Sequence, residues 1–312
     1  METPPAVPTV SLARDAGDPD EFARALGGSF ARFGFAIVSD HGIAPDVIAR
    51  ADAAARAFFA LPEETKRLYQ AGAGGQRGYV PFGIETAKDA HAHDLKEFWH
   101  VGRELPPGHP FADRMPPNVW PQEVAGFRDA QLALYDSLEA AGLRLLRGIA
   151  RYLDLAPDFF EHAVADGNSV LRLLHYPAAA FDGPNIRAGA HEDINTITLL
   201  LGAEEAGLEL LDRDGNWLPV RPREGELAVN VGDMLQRLTN HVLRSTTHRV
   251  VNPAPERRGV ARYSMPFFLH FRPDHVIETL PGCVSPERPN LYPDPITAHD
   301  YLMQRLREIR LI

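Results

Sequence analysis

The stretch Ala190-His191-Glu192-Asp193-Ile194-Asn195-Thr196-Ile197-Thr198-Leu199-Leu200-Leu201 joins a polar His-x-Asp triplet to a short apolar run. Residues i and i+2 of a strand project from one face, so His191 and Asp193 can reach a common point while Glu192 faces away. Residues 196–201 are one of several short β-rich runs in the second half of the chain. The others are 170–174, 208–211, 217–220, 227–231, 249–251 and 263–269, with Gly, Pro, Asp and Asn between them. Runs of this length and spacing predict a β-barrel or a double-sheet jelly roll.

Upstream the pattern is helical. Asp18-Pro19-Asp20-Glu21 starts a helix with Phe22, Leu26, Phe30 and Phe33 on its apolar face, and Phe35-Ala36-Ile37-Val38 then reads as a buried strand ended by Asp40-His41-Gly42. Pro45-Asp46 opens an alanine-rich helix to about Phe59. The glycine-rich residues 72–78 read as a flexible loop, without the Gly-Lys-Ser/Thr that a phosphate loop needs. Phe127, Leu134, Leu138, Leu145, Ile149 and Tyr152 recur at helical spacing within one long amphipathic helix, and residues 300–309 form a helical tail.

Composition narrows the function classes. Across 312 residues, 45% hydrophobic and 24% charged content is that of a folded globular protein rather than a disordered or coiled-coil one. A net charge of −10 repels phosphate backbones and anionic membranes, so neither is an expected partner. The acidic, proline-rich start lacks the features of a secretory signal, and no apolar run is long enough to span a bilayer, which makes cytoplasm the expected location. The lone Cys283 forbids an intrachain disulfide or a thiolate zinc site, leaving histidine and carboxylate as metal ligands.

His248, at the head of another β run, is the candidate third ligand beside His191 and Asp193. Two histidines and one carboxylate on one side of a metal leave its other side open, the facial arrangement suited to non-haem Fe(II). Beyond it, Arg262-Tyr263-Ser264 places a guanidinium and a hydroxyl on one strand face, a receptor for a small carboxylate. Tyr176 offers a phenol to the same ligand. Tyr79, Phe82, Phe98 and Phe268 are candidate walls of a substrate pocket, and Arg77 could meet an anionic substrate.

These residues, with Gly34-Phe35-Ala36-Ile37-Val38-Ser39-Asp40-His41-Gly42-Ile43, Asp94-Leu95-Lys96-Glu97-Phe98, Asn118-Val119-Trp120-Pro121, Gly207-Leu208-Glu209-Leu210, Asn230-Val231-Gly232-Asp233-Met234 and Ser245-Thr246-Thr247-His248-Arg249-Val250, resemble the isopenicillin N synthase-like family of Fe(II)/2-oxoglutarate-dependent dioxygenases in order and over nearly the whole chain. The resemblance implies an α+β, mainly β fold: a double-stranded β-helix (jelly roll, cupin-like) core flanked by helices. It implies an N-terminal region 1–120, a long supporting helix in 121–165, the catalytic β core in 166–275 and a helical tail in 276–312, acting as one catalytic unit. It makes His191, Asp193 and His248 the iron ligands, and Arg262 and Ser264 the clamp for the distal carboxylate of 2-oxoglutarate, assisted by Tyr176. Many plant members have asparagine two positions before that tyrosine, where Leu174 stands here.

The implied reaction uses Fe(II), 2-oxoglutarate and O2 to hydroxylate or desaturate a small to medium organic substrate, releasing succinate and CO2. Oxidases of the isopenicillin N synthase or aminocyclopropane-carboxylate oxidase kind, which dispense with 2-oxoglutarate, share the Arg-x-Ser motif and stand as the alternative. A non-catalytic β-barrel binding protein is the remote one.

Overall fold

The computed structural model describes residues 6–71, 76–84, 95–178, 187–202, 207–252 and 259–309. The strands in chain order are β1 (Thr9–Ser11), β2 (Phe35–Ser39), β3 (Gln70–Ala71), β4 (Arg77–Val80), β5 (Glu97–Gly102), β6 (Val170–Tyr176), β7 (Ala188–His191), β8 (Ile197–Leu201), β9 (Leu208–Leu211), β10 (Trp217–Pro219), β11 (Leu227–Val231), β12 (His248–Val250), β13 (Arg262–Leu269), β14 (Val276–Ile277) and β15 (Ile296–Thr297). The helices are α1 (Arg14–Gly17), α2 (Pro19–Phe33), α3 (Pro45–Phe59), α4 (Glu63–Arg67), α5 (Phe127–Tyr152), α6 (Phe159–Val164), α7 (Asp233–Leu238) and α8 (Ala298–Glu308).

Nine strands form one sheet in the order β1-β2-β11-β8-β13-β6-β5-β4-β3, and a second sheet runs β10-β9-β12-β7. The two sheets enclose the jelly-roll interior. Strands from the first hundred residues complete the larger sheet at both edges, so its hydrogen bonding crosses the expected boundaries at 120 and 165 without a break.

Alternation along the strands separates two cores. In β13, Met265, Phe267 and Leu269 face outward with Leu199, Val229 and Leu173, and pack on the apolar stripe of α5 through Leu134, Leu138 and Leu145. Phe35, Ile37, Ala228, Leu208, Leu210, Leu218 and Val250 fill the inner core between the sheets. The helices begin and end where local chemistry dictates. The Asp18 carboxylate accepts a hydrogen bond from the Glu21 N–H at the start of α2, with Pro19 at the first turn. Gly34 ends the same helix at φ 69°, a left-handed conformation that glycine adopts without a Cβ clash.

The expectation of a loop through residues 72–78 needs correction at its end. Arg77 and Gly78 already belong to β4, paired to β3 and β5, because Gly78 takes φ 71° and lets the chain turn into the ladder. Residues 72–75 lie outside the described residues. Among the described residues, no helix is long and apolar enough to cross a membrane.

Phe267 is fully buried between β13 and α5, edge-on to Tyr135 with ring centroids 4.9 Å apart. Phe267→Ala should lower the unfolding free energy by about 3–5 kcal/mol in a urea titration; a loss below about 1 kcal/mol would mean that the sheet–helix core can collapse around the deletion.

Candidate metal centre and cosubstrate site

Antiparallel pairing of β12 with β7 sets His248 directly opposite His191, the two rings 4.4 Å apart. Asp193 follows two residues after His191, just past the strand. One ligand atom from each of His191, Asp193 and His248 lies within 4.8 Å of the others. The Asp193 Oδ1 atom is 3.8 Å from His191 Nε2 and 3.9 Å from His248 Nε2.

The remaining polar atoms of the triad are occupied. His191 Nδ1 donates to the Gly189 carbonyl at 2.7 Å, and His248 Nδ1 donates to the Thr246 carbonyl at 3.0 Å. With the proton on Nδ1, each neutral ring presents the Nε2 lone pair to the centre. Asp193 Oδ2 accepts from Thr198 Oγ1 at 2.5 Å and Asn230 Nδ2 at 2.8 Å, which leaves Oδ1 for the centre. Thr198 and Asn230 stand opposite each other on β8 and β11, so the sheet register itself aims the carboxylate.

Electrostatics agree with this division. The His191 side chain keeps 39% of its surface open, yet burial of the rest, then the neighbouring His248, push its pKa down to about 4. Burial pushes the Asp193 carboxyl up, but His248, His191 and the hydrogen bonds from Asn230 and Thr198 outweigh it and hold the group below the usual carboxylate range. The donor set is therefore two imidazole Nε2 atoms and one carboxylate oxygen, which fits Fe(II).

Arg262, Ser264 and Tyr176 meet at one end of the interior. Register sets Arg262 opposite Tyr176 and Ser264 opposite Leu174 on β6. The guanidinium is 2% exposed, lies 5.1 Å from the Tyr176 ring centre, and donates from Nη1 to Ser264 Oγ at 3.2 Å. Its Nε and Nη2 atoms are buried without a partner. Buried guanidinium donors facing no acceptor favour an anion in that space. Leu174, where many plant relatives carry asparagine, packs instead with Val80, Phe98 and Tyr176.

The four aromatic candidates divide. Phe98 and Phe268 face the interior, on either side of the Arg172 guanidinium. Tyr79 does not line the interior. It alternates onto the helix-facing side with Trp99, packs on Phe58, and donates its hydroxyl to Glu97. There Glu97 also binds Lys66 Nζ at 2.7 Å and His175 Nδ1 at 2.7 Å, a buried network on the back of the sheet. Phe82 lies beyond the end of β4 and is 39% exposed. Arg77 is buried, its guanidinium filling the space where a Cβ on Gly102 would stand. Sequence reading passed over Thr198, Asn230, Lys96, His100, Arg172, Arg187 and His270. Alternation from Phe98 would have placed Lys96, His100 and Gly102 on its face, but β5 is buried along its whole length and offers no polarity pattern to read.

Comparison with known proteins converges on one family. A family model described as non-haem dioxygenase in morphine synthesis, N-terminal, matches residues 7–123, and the 2OG-Fe(II) oxygenase superfamily model matches residues 167–271. The chain is 35% identical over 279 residues to a 2-oxoglutarate-Fe(II) type oxidoreductase, hxnY, of Emericella nidulans, covering 86% of this chain and 78% of that protein. The structure of a 2OG-Fe(II) oxygenase family protein from Caulobacter crescentus superposes with a TM-score of 0.93 at 58% identity, over 97% of this chain and 99% of that one. A full-length Neurospora crassa protein in complex with α-ketoglutarate and thymine superposes with a TM-score of 0.87 at 30% identity, over 98% of each chain. The jelly roll, the His–Asp–His cluster and these likenesses agree, and the chain belongs to the 2-oxoglutarate- and Fe(II)-dependent oxygenase family.

Proposed function

We propose that His191, Asp193 and His248 hold the Fe(II) of this oxygenase, that Arg262 and Ser264 receive the distal carboxylate of 2-oxoglutarate beside Tyr176, and that the whole chain acts as one catalytic unit. The observation that carries the reading is the divided use of each ligand: Nδ1 of both histidines and Oδ2 of Asp193 are bonded to protein, and the three remaining donors converge.

For a hydroxylation, O2, 2-oxoglutarate and a substrate C–H bond become succinate, CO2 and the corresponding C–OH. Fe(II), when bound, supplies the redox chemistry that couples decarboxylation to C–H oxidation. The protein's own residues do the placing. Thr198 and Asn230 fix the plane of the Asp193 carboxylate, and the Gly189 and Thr246 carbonyls fix both imidazole tautomers. Arg262 offers a fork that matches a carboxylate, with Ser264 Oγ beside it. Leu174, Phe98 and Val80 give that end of the cavity an apolar wall which limits water. Dependence on 2-oxoglutarate agrees with the hxnY relative and with the α-ketoglutarate bound in the Neurospora protein. The substrate is a small to medium organic molecule, as is the thymine held in that Neurospora complex.

Anaerobic Fe(II) protein titrated with 2-oxoglutarate should develop a weak visible charge-transfer band, and O2 should then release succinate; absence of both would overturn the assignment. Arg262→Leu should weaken 2-oxoglutarate binding at least roughly ten-fold with iron content unchanged, whereas Asp193→Ala should lose iron. Equal loss of iron in both variants would mean that Arg262 has been given the wrong role.

Acid should destabilise the metal-free protein in a defined window. Burial, reinforced by Arg77 and opposed by Asp193, pushes His270 from 6.5 down to about 4. An imidazole with a lowered folded pKa takes up its proton more readily in the unfolded chain, so its contribution is whole above about pH 6.5 and is lost as the pH falls toward about 4. Asp233, which burial pushes up to about 6, acts in the opposite sense as the pH falls. Urea unfolding between about pH 7 and about pH 5 should show a smaller loss of stability for His270→Gln than for the wild type. Equal losses would show that His270 is not held neutral by the fold.

A further inference from the structure

The segment that joins β7 to β8 carries Asp193, and the start of α7 holds its main chain. The Asp233 N–H donates to the Asp193 carbonyl at 2.7 Å, the Met234 N–H to the Asn195 carbonyl at 3.1 Å, and the Gly232 N–H to the Thr196 carbonyl at 3.0 Å. The approach is close enough to require glycine at 232, where a Cβ would fall 2.1 Å from the Asn195 carbonyl oxygen. The same helix reaches the second ligand strand. Gln236 Oε1 accepts the Ser245 N–H at 3.0 Å, one residue before Thr246, whose carbonyl takes the His248 Nδ1 proton. α7 thus braces both segments that bring ligands to the centre.

A helix of six residues does not hold itself in place, and the C-terminal chain backs this one. The Leu280 N–H donates to the Leu238 carbonyl at 2.9 Å, and Asn240 Nδ2 donates to the Pro289 carbonyl at 3.1 Å. Arg237 donates from Nη2 to the Asp294 carbonyl at 2.6 Å, with its Cζ 4.6 Å from the Tyr292 ring centre and 5.5 Å from that of Tyr301. The first turn is met by charge. Arg305 of α8 brings Nη2 to 3.0 Å from Asp233 Oδ2, with the two side chains 21% and 3% exposed, so water screens the pair little. Glu192 and Asp193 add negative charge beside Asp233, and among the described residues Arg305 is the cation that offsets it. Without that cation the buried carboxylate is uncompensated, and it regains solvation by moving outward. Such a movement draws the Asp233 N–H away from the Asp193 carbonyl.

Resting on the metal reading above and deepening it, we infer that Arg305 is a positioning residue for the iron centre. Its charge pins Asp233 and with it the first turn of α7, and that turn fixes the Asp193 segment and the approach to His248. The helical tail is then a working part of the metal centre, which it reaches through α7. Helix packing alone would not single out Arg305 from Arg307, an exposed arginine two residues further along α8.

The test titrates the metal-free, full-length protein with Co(II), whose visible ligand-field bands report occupancy and coordination geometry together, at a temperature where circular dichroism shows each variant folded. Arg305→Gln should weaken Co(II) binding roughly ten-fold and alter the bands. Arg307→Gln removes the same charge from the exposed position and should match the wild type. Asp233→Asn combined with Arg305→Gln strands no charge and should return the affinity to within about three-fold of the wild type. An unchanged Co(II) affinity in Arg305→Gln, with or without a lower melting temperature, would overturn the inference by reducing the pair to a structural contact. Equal weakening in Arg307→Gln, or a double variant as weak as Arg305→Gln, would overturn it as well. Should Arg305→Gln not fold, Arg305→Lys carries the test, because it keeps the charge without the planar fork: altered bands support the positioning role and wild-type bands remove it. A wild type that takes up no Co(II) would instead sink the metal assignment itself, and this inference with it.

Discussion

The Asp193 carboxylate is the point on which the rest of the site depends. One of its oxygens is committed to Thr198 and Asn230, the other to the centre shared with His191 and His248. Thr198 and Asn230 sit on β8 and β11, neighbours in the nine-stranded sheet, while His191 and His248 sit on β7 and β12 of the smaller sheet. The carboxylate therefore bridges the two layers of the jelly roll. Any change in their separation or register moves one half of the ligand set relative to the other. The apolar packing of Phe35, Leu208, Leu210 and Val250 between the sheets is what holds that separation, and Phe35 itself stands edge-on to the His248 ring at 5.4 Å.

The same sheet serves a different purpose on its other side. Glu97, Lys66, Tyr79 and His175 form a buried polar network directly behind β5 and β6, and His175 stacks on Tyr263 at 4.6 Å. His175 precedes Tyr176, and Tyr263 lies between Arg262 and Ser264. Outward residues of two strands are thus locked together at the positions whose inward neighbours make up the proposed carboxylate clamp. Burial alone would raise the Glu97 carboxyl, but His175, Lys66 and Tyr79 keep it ionised, so the network holds its charge balance without drawing on the interior.

Legibility followed the strength of the local rule. Period-two alternation sufficed for His191 with Asp193 and for Arg262 with Ser264, because each motif sits at a strand end, His191 closing β7 with Asp193 just past it and Arg262 and Ser264 opening β13. It failed for Tyr79. An aromatic residue next to a glycine-rich segment gives no sign of which face it takes, and Gly78 with its positive φ sits at the step that decides it. Thr198 and Asn230 lie 32 positions apart, and their meeting depends on strand order, which local pattern does not encode. The β5 face of Lys96, Phe98, His100 and Gly102 stayed hidden for another reason. A strand buried on both sides loses the polar alternation by which its faces are told apart.

The interior also holds free energy in reserve. Arg262 keeps Nε and Nη2, and Arg77 keeps Nε, buried and unpartnered. A buried donor left unmatched costs on the order of 1–3 kcal/mol, and more when it is charged. Natural sequences keep such costs where a ligand removes them, because the ligand's affinity then includes the relief of that cost. The stabilising interactions are accordingly unequal in kind. The outer core between the sheet and α5 is apolar, whereas the inner side of the sheets keeps buried guanidinium donors that have no acceptor among the described residues. Under the proposed assignment of Arg262, a bound carboxylate relieves that cost, and its affinity includes the relief.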